Sequence, residues 1–275
     1  MIDLPDPLTR PALLKVYRPI RTAIQTVLAA AVDRCGKPDF DRAAKHLGLV
    51  DAEQMAVEDT AAMLCDIALF EPNQRGRRAY DRFLAGGAEA LDPPERAVAE
   101  RLGGAFFSVF RVAERHAFGG VWVENLLDGD RRFWLMDEGL EASASEGTVI
   151  GLRVFDVGPF HAGLGLIVDP DPAMVGFCIE AAARGNPLPV RHSLAATFYG
   201  DAIAEATMPV MLGSMVEEVA AMNESERRAA LDGLDRLVDP NSPGDAELRD
   251  LLVSLVGAVP PPVAPPPTSR RKRRR

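Results

Sequence analysis

Between Gly103-Gly104 and Asp169 the chain carries five short strand-like runs joined by short turns, and this density of strands constrains the fold more than any other feature. The runs are Phe106–Ala113, Gly120–Leu126, Arg132–Met136, Thr148–Val157 and His161–Val168. Short turns favour hairpin pairing, so the spacing predicts a small, strongly bent antiparallel sheet or half-barrel. Asp128-Gly129 is a hairpin signal, because both residues tolerate positive φ. A two-residue loop there pairs Trp122 with Leu135 and puts the two indoles on opposite faces, whereas a three-residue loop sets Trp122 opposite Trp134. The shorter loop is preferred. Gly163-Leu-Gly165 reads as a bend or bulge in the last strand.

Helical texture flanks this β-module. Pro11 to Val32 places Leu13, Tyr17, Ile20, Ile24, Val27 and Ala31 on one stripe, and Pro19 inside it predicts a kink or two short helices. Further helices are expected over Asp39–Leu47, Ala56–Phe70 and Arg75–Leu84. Another follows Asp92-Pro93-Pro94-Glu95, where a cap, a first-turn proline and a capping-box acid coincide. After the strands, Asp171-Pro172 opens a helix over Ala173–Ala183. Leu194–Met222 is long and apolar and contains Pro209, and 224–238 and 245–256 are amphipathic. The fold class is therefore α+β: a helical region over 1–103, a β-module over 104–170, a helical region over 171–258, and a Pro-rich linker with a basic tail over 259–275. One compound body is expected rather than independent domains.

The run Met63-Leu-Cys-Asp-Ile-Ala-Leu69 followed by Gly76-Arg-Arg-Ala-Tyr-Asp-Arg-Phe-Leu84 precedes a β-module. That module reads Phe107-Ser-Val-Phe-Arg-Val112, Val121-Trp-Val-Glu-Asn-Leu-Leu-Asp-Gly129, Trp134-Leu-Met-Asp-Glu-Gly139 and Gly147-Thr-Val-Ile-Gly-Leu-Arg153. Over about residues 55–170 this pattern is similar to a group of uncharacterised bacterial proteins, some of which carry a C-terminal SEC-C zinc-chelating motif. This chain has no Cys/His cluster at its C-terminus, so no zinc role is carried over, and the resemblance implies no activity.

Charge divides the chain. The formal net charge is -9, with 31 basic and 40 acidic residues. The last six residues, Arg270, Arg271, Lys272, Arg273, Arg274 and Arg275, are all cations on a proline-rich spacer, and the remainder is strongly acidic. A flexible cationic run attracts polyanions without sequence specificity. Within 104–169 acids outnumber bases, which argues against an oligonucleotide groove on the β-module itself. The apolar stretches are interrupted by charge, so no membrane span is expected, and the N-terminus lacks the pattern of a signal peptide. Cys35, Cys65 and Cys178 are odd in number and widely spaced, as in a reducing cytoplasm. Abundant Ala and Arg with scarce Lys suggest a GC-rich bacterial source.

Chemical motifs are sparse. His46, His116, His161 and His192 have no metal-ligand spacing, and no nucleotide-binding or hydrolase motif occurs. Asn73-Gln-Arg-Gly-Arg-Arg78 opens a helix, and Arg75, Arg77, Arg78 and Arg82 form the best internal anion-site candidate. Asp137-Glu138 with Glu141 are paired carboxylates near the third strand. No metal or cofactor is expected. The leading reading is a cytoplasmic binding or adaptor protein whose body recognises a protein partner while the tail adds polyanion affinity. A homo-oligomer surface over 194–258 is one candidate interface. An alternative is a nucleic-acid-associated accessory protein that binds through the tail. A third reading, an enzyme, requires His161 and the Asp137–Glu138 carboxylates to converge in one cleft.

Overall fold

The computed structural model describes residues 4–49, 59–223, 225–226 and 228–229. Met1–Ala206 form one compact unit and Thr207–Arg275 a second. The expected helices over 224–238 and 245–256, apart from four of their positions, lie outside the described residues, as do the Pro-rich stretch and Arg270–Arg275. No helix among the described residues is long and apolar enough to cross a membrane.

Among the described residues, five α-helices precede the strands: α1 (Arg10–Val32), α2 (Lys37–Leu47), α3 (Thr60–Phe70), α4 (Ala79–Gly86) and α5 (Pro93–Leu102). α1 is a single helix with Pro19 inside it, where the periodicity left room for a break into two. It buries Leu13, Tyr17, Ile20, Ile24 and Val27 on one face, as a 3.6-residue period requires. α4 begins later than expected, at Ala79, because Arg75 and Arg77 lie in the preceding turn. At α5 the Glu95 carboxylate accepts the Asp92 amide at 3.2 Å, the capping-box bond that Asp92 and Glu95 predict.

The strands are β1 (Phe106–Arg115), β2 (Val121–Asn125), β3 (Arg131–Met136), β4 (Val149–Asp156) and β5 (His161–Val168), with a short helix α6 (Glu138–Ser143) between β3 and β4. They close into a barrel in the order β1-β2-β3-β5-β4. All the pairings are antiparallel except β3–β5, which is parallel. The sheet is therefore mixed and closed, where hairpins alone predict an antiparallel half-barrel. Closure removes the open edges that an unpaired β3 and β5 would present. Phe110, Val112, Val121, Val123, Leu135, Ile150, Leu152 and Val154 fill the interior, together with Leu140 of α6.

The indole register is corrected. Trp122 stands opposite Trp134, and Val121 opposite Leu135. The connection is longer than two residues, because Gly129 (φ 59°) and Asp130 (φ 57°) both take the left-handed conformation. Asn125 Oδ1 also accepts the Leu127 amide at 3.1 Å, a side-chain turn that consumes residues before the Asp-Gly pair. The β4–β5 register shifts opposite Gly165, whose φ is 73°, so the glycine pair does mark a bulge.

Helices pack on the barrel's outer surface. α1 packs over Trp134, Met136, Phe160 and Ala162. It is tied down by Arg10–Glu141, by Arg18–Glu138 at 3.0 Å and by Arg21 Nη1 donating to the Gly163 carbonyl at 2.9 Å. α3, together with residues 194–203 of α8 (Leu194–Ala221), packs against Val109 and Val168. α7 (Pro172–Ala183) is capped by Asp171, whose carboxylate accepts the Met174 amide at 2.7 Å.

Candidate docking groove

β1 alternates inward Phe110 and Val112 with outward Val109 and Arg111, so Arg111 is the charge that this strand presents beside the helical cover. Glu124 is its cross-strand partner on β2. The guanidinium donates to Glu124 Oε2 from Nη2 at 2.8 Å and from Nε at 3.0 Å, and Asp130 stands 3.7 Å away. The hydrogen bond to Glu124 raises the Arg111 pKa further.

Three cavities meet at Arg111. One of about 320 Å³ lies over Glu114, Glu124, Arg132 and Glu146. One of about 430 Å³ runs past Leu126, Leu127 and Asp130 to Ile179 and Ala183 of α7. One of about 500 Å³ runs over Val149 and Asp169 to Val175, Gly176 and Ile179. The last two share Leu126 and Ile179 as well as Arg111. The result is a groove with an aliphatic floor between barrel and α7 and a polar end on the β1–β2 face. Concave, mostly apolar surface with a few fixed polar groups is what binding sites require. A separate apolar hollow of about 280 Å³ between α1 and α5 has only Arg101 as a charged neighbour.

The groove is acidic. Glu114, Glu124, Asp130, Glu146 and Asp169 line it against Arg111 and Arg132, and both arginines are already paired, Arg111 with Glu124 and Arg132 with Glu114. Arg132 also lies 5.2 Å from the centre of the Trp122 ring. Phosphates would meet net repulsion on this face, which supports the sequence argument against nucleic-acid binding by the barrel.

The residues singled out from the sequence do not form one site. Arg78 Nη2 bonds Asp81 at 2.6 Å and the Gly103 carbonyl at 2.8 Å, and Arg82 bonds Asp39 at 2.6 Å. The Arg75 and Arg77 amides both donate to Asn73 Oδ1, at 2.9 and 3.2 Å. The loop amides and two of the four guanidiniums thus have internal partners. Asp137 caps α6 through the Leu140 amide at 2.8 Å, Glu138 pairs with Arg18, and Glu141 holds Arg10 and the Gly120 amide. His161 packs on Phe133 with ring centroids 4.2 Å apart, and the structure does not bring it against these carboxylates. Arg270–Arg275 lie outside the described residues. Burial, then Asp39, pushes the Cys35 thiol up to about 11, and burial raises Cys65 and Cys178 as well, so these thiols stay protonated and unreactive at neutral pH.

The sequence reading missed both Arg111 and a fully buried ion pair. Arg153 on β4 donates from Nε to both Asp66 oxygens, at 2.8 and 3.1 Å, and from Nη2 to Glu71 at 3.4 Å. Its guanidinium lies 4.9 Å from the centre of the Phe70 ring. A lone arginine inside the apolar run Val149–Val157 and a lone aspartate inside Met63–Leu69 were the available signals.

His46 of α2 stacks face to face on His192, with centroids 4.2 Å apart, and its Nδ1 is buried without a hydrogen bond. Burial, then His192, Arg42 and Lys45, lowers the His46 pKa. Burial also lowers His116 and His161. For a lowered histidine the neutral form is the folded one, so its stabilisation is complete above the unfolded value of about 6.5 and is lost as pH falls below it. Urea midpoints are therefore expected to fall between pH 7 and pH 5.5, above the range where ordinary carboxylates titrate. His46→Gln should flatten that dependence, and an unchanged pH profile in this variant would remove His46 as a cause.

Over residues 12–168 the chain matches a family of unknown function, DUF7986. The chain belongs to the DUF7986 family. No curated protein and no solved structure matches it. The part that matches DUF7986 takes in most of α1 and the whole barrel and ends before α7, so the groove has one wall inside the family region and one beyond it.

Proposed function

We propose that this DUF7986 protein is a cytoplasmic bacterial binding or adaptor protein, with the groove at Arg111 as the surface that receives a protein partner. The observation that carries the reading is the meeting of three cavities at one paired arginine on a barrel face that the surrounding helices leave open. The basic run Arg270–Arg275 adds affinity for a polyanion through charge alone.

Two measurements test the two halves. A photoreactive residue at position 183 should cross-link a protein in nuclease-treated extract. That protein, once purified, should bind the wild type and bind Ala183→Trp at least about tenfold more weakly, a loss of about 1.4 kcal/mol. Ala183 is exposed at the end of α7, so the indole blocks the groove without entering the core. Equal affinity for both forms would end the docking reading. For the tail, binding to a thymidine oligonucleotide should weaken with salt at a log–log slope of about -4 if all six cations engage phosphate. Removing residues 270–275 should abolish that slope. If the slope survives, the polyanion contact lies elsewhere.

A further inference from the structure

We infer that the groove at Arg111 is built for a cationic, aliphatic peptide segment. The inference rests on the docking reading above and adds the chemistry of the partner. Its floor is Leu126, Val149, Val175 and Ile179, drawn from the β2–β3 connection, β4 and α7. Each of these is buried or half-buried yet lines open space, so a ligand that covered them would need apolar side chains of its own. The rim supplies the sign of charge. Glu146 and Asp169 are exposed and make no ion pair among the described residues. Asp130 is 3.7 Å from Arg111, beyond hydrogen-bonding distance.

Arg111 itself does not act as an anion trap. Glu124 holds its Nε and Nη2 on one oxygen, and Asp130 lies beyond, so an incoming carboxylate would have to displace an existing pair and face the remaining acids. A lysine or arginine of a partner meets the opposite situation. It finds Glu146 at one end of the groove and Asp169 at the other, both solvated and unengaged, and its alkyl stem can lie on the aliphatic floor. Nucleic acid fits neither half of this surface: the floor offers no exposed aromatic for base stacking, and the rim repels phosphate.

The probe is a fluorescein-labelled peptide alternating leucine and arginine, compared with the same peptide bearing glutamate for arginine and with a thymidine oligonucleotide. All are titrated into the full chain by fluorescence anisotropy. The basic peptide should bind the wild type, bind the E146Q/D169N variant roughly tenfold more weakly, and lose most of its binding in Ala183→Trp. Both substitutions sit at exposed positions, and unchanged thermal melts confirm that the fold is kept. Equal binding of the basic peptide to the wild type and to Ala183→Trp overturns the inference. So does a groove-dependent preference for the acidic peptide or the oligonucleotide; in that case the docking reading survives and only the partner chemistry fails. If none of the three probes responds to Ala183→Trp, the inference falls, and equal affinity of the cross-linked partner for both forms would then remove the docking reading separately.

Discussion

Asp66→Ala is expected to cost about 3–5 kcal/mol of folding free energy, the range for breaking a buried ion pair from one side. Arg153 is 4% exposed and Asp66 5%, so neither group is compensated by solvent. An arginine cannot shed its proton to escape. Burial works against the charged form of Arg153, but the Asp66 charge and hydrogen bond outweigh it, and the pKa is raised overall. Without Asp66 the guanidinium keeps only the 3.4 Å contact to Glu71 and the faces of Phe70 and Phe107. The Tyr199 hydroxyl is buried beside the pair, but a neutral oxygen cannot replace the charge of the carboxylate. Urea unfolding followed by tryptophan fluorescence should show a lowered midpoint with an unchanged slope.

The companion double variant separates two meanings of that loss. Asp66→Leu with Arg153→Met removes both charges and keeps most of the volume. If the pair matters mainly because each half needs the other, the double variant should recover most of the stability or exceed the wild type. A loss as deep as that of Asp66→Ala would instead show that the pair fixes how α3 sits on β4. A single-variant loss below about 1 kcal/mol would mean that water reaches the guanidinium, contrary to its burial.

The pair also shows where the sequence stops being readable. Asp66 is the lone charge of its apolar run and Arg153 the lone cation of β4, and a charge in a buried strand requires a partner. The partner lies 87 positions away, and nothing in either run says which residue it is. α1 is different, since its stripe is a local period and its buried face follows from that period alone. The three antiparallel hairpins of the barrel, β1–β2, β2–β3 and β4–β5, were likewise local. The parallel β3–β5 pairing was not, because strands with period-two patterning record which face is buried and not which neighbour is paired. The indole register failed for a related reason. Its turn depends on the Asn125 side chain and on Asp130 in a left-handed conformation, a use of aspartate that the Asp-Gly signal does not reveal. The groove at Arg111 was the least legible, because β1, the 126–130 connection and α7 are separate in sequence and become neighbours only when the barrel closes.

Gly120 carries the second large expectation. Its φ is 73°, and a methyl group there would lie 2.3 Å from the Leu135 carbonyl oxygen and 2.9 Å from the Met136 Cα. Both are backbone atoms of β3, so no side chain can swing aside and the strand itself must move. The surroundings are fastened: Gly120 donates its amide to Glu141 at 2.9 Å and accepts from the His116 amide at 3.0 Å, while the neighbouring Gly119 carbonyl accepts from Trp134 Nε1 at 2.7 Å. Gly120→Ala is therefore expected to lose about 2–5 kcal/mol, from left-handed strain and strand displacement together. Trp134, stacked on His116 at 3.8 Å, should change its emission in the folded state. Gly129→Ala provides the contrast, because its φ is also positive, at 59°, but no atom lies within 4 Å of the added carbon. It should lose only about 1–2 kcal/mol, the conformational part alone. Equal losses in the two variants would show that β3 yields to the methyl group, and that the close approach of the β1–β2 turn to β3 contributes nothing to holding the barrel shut.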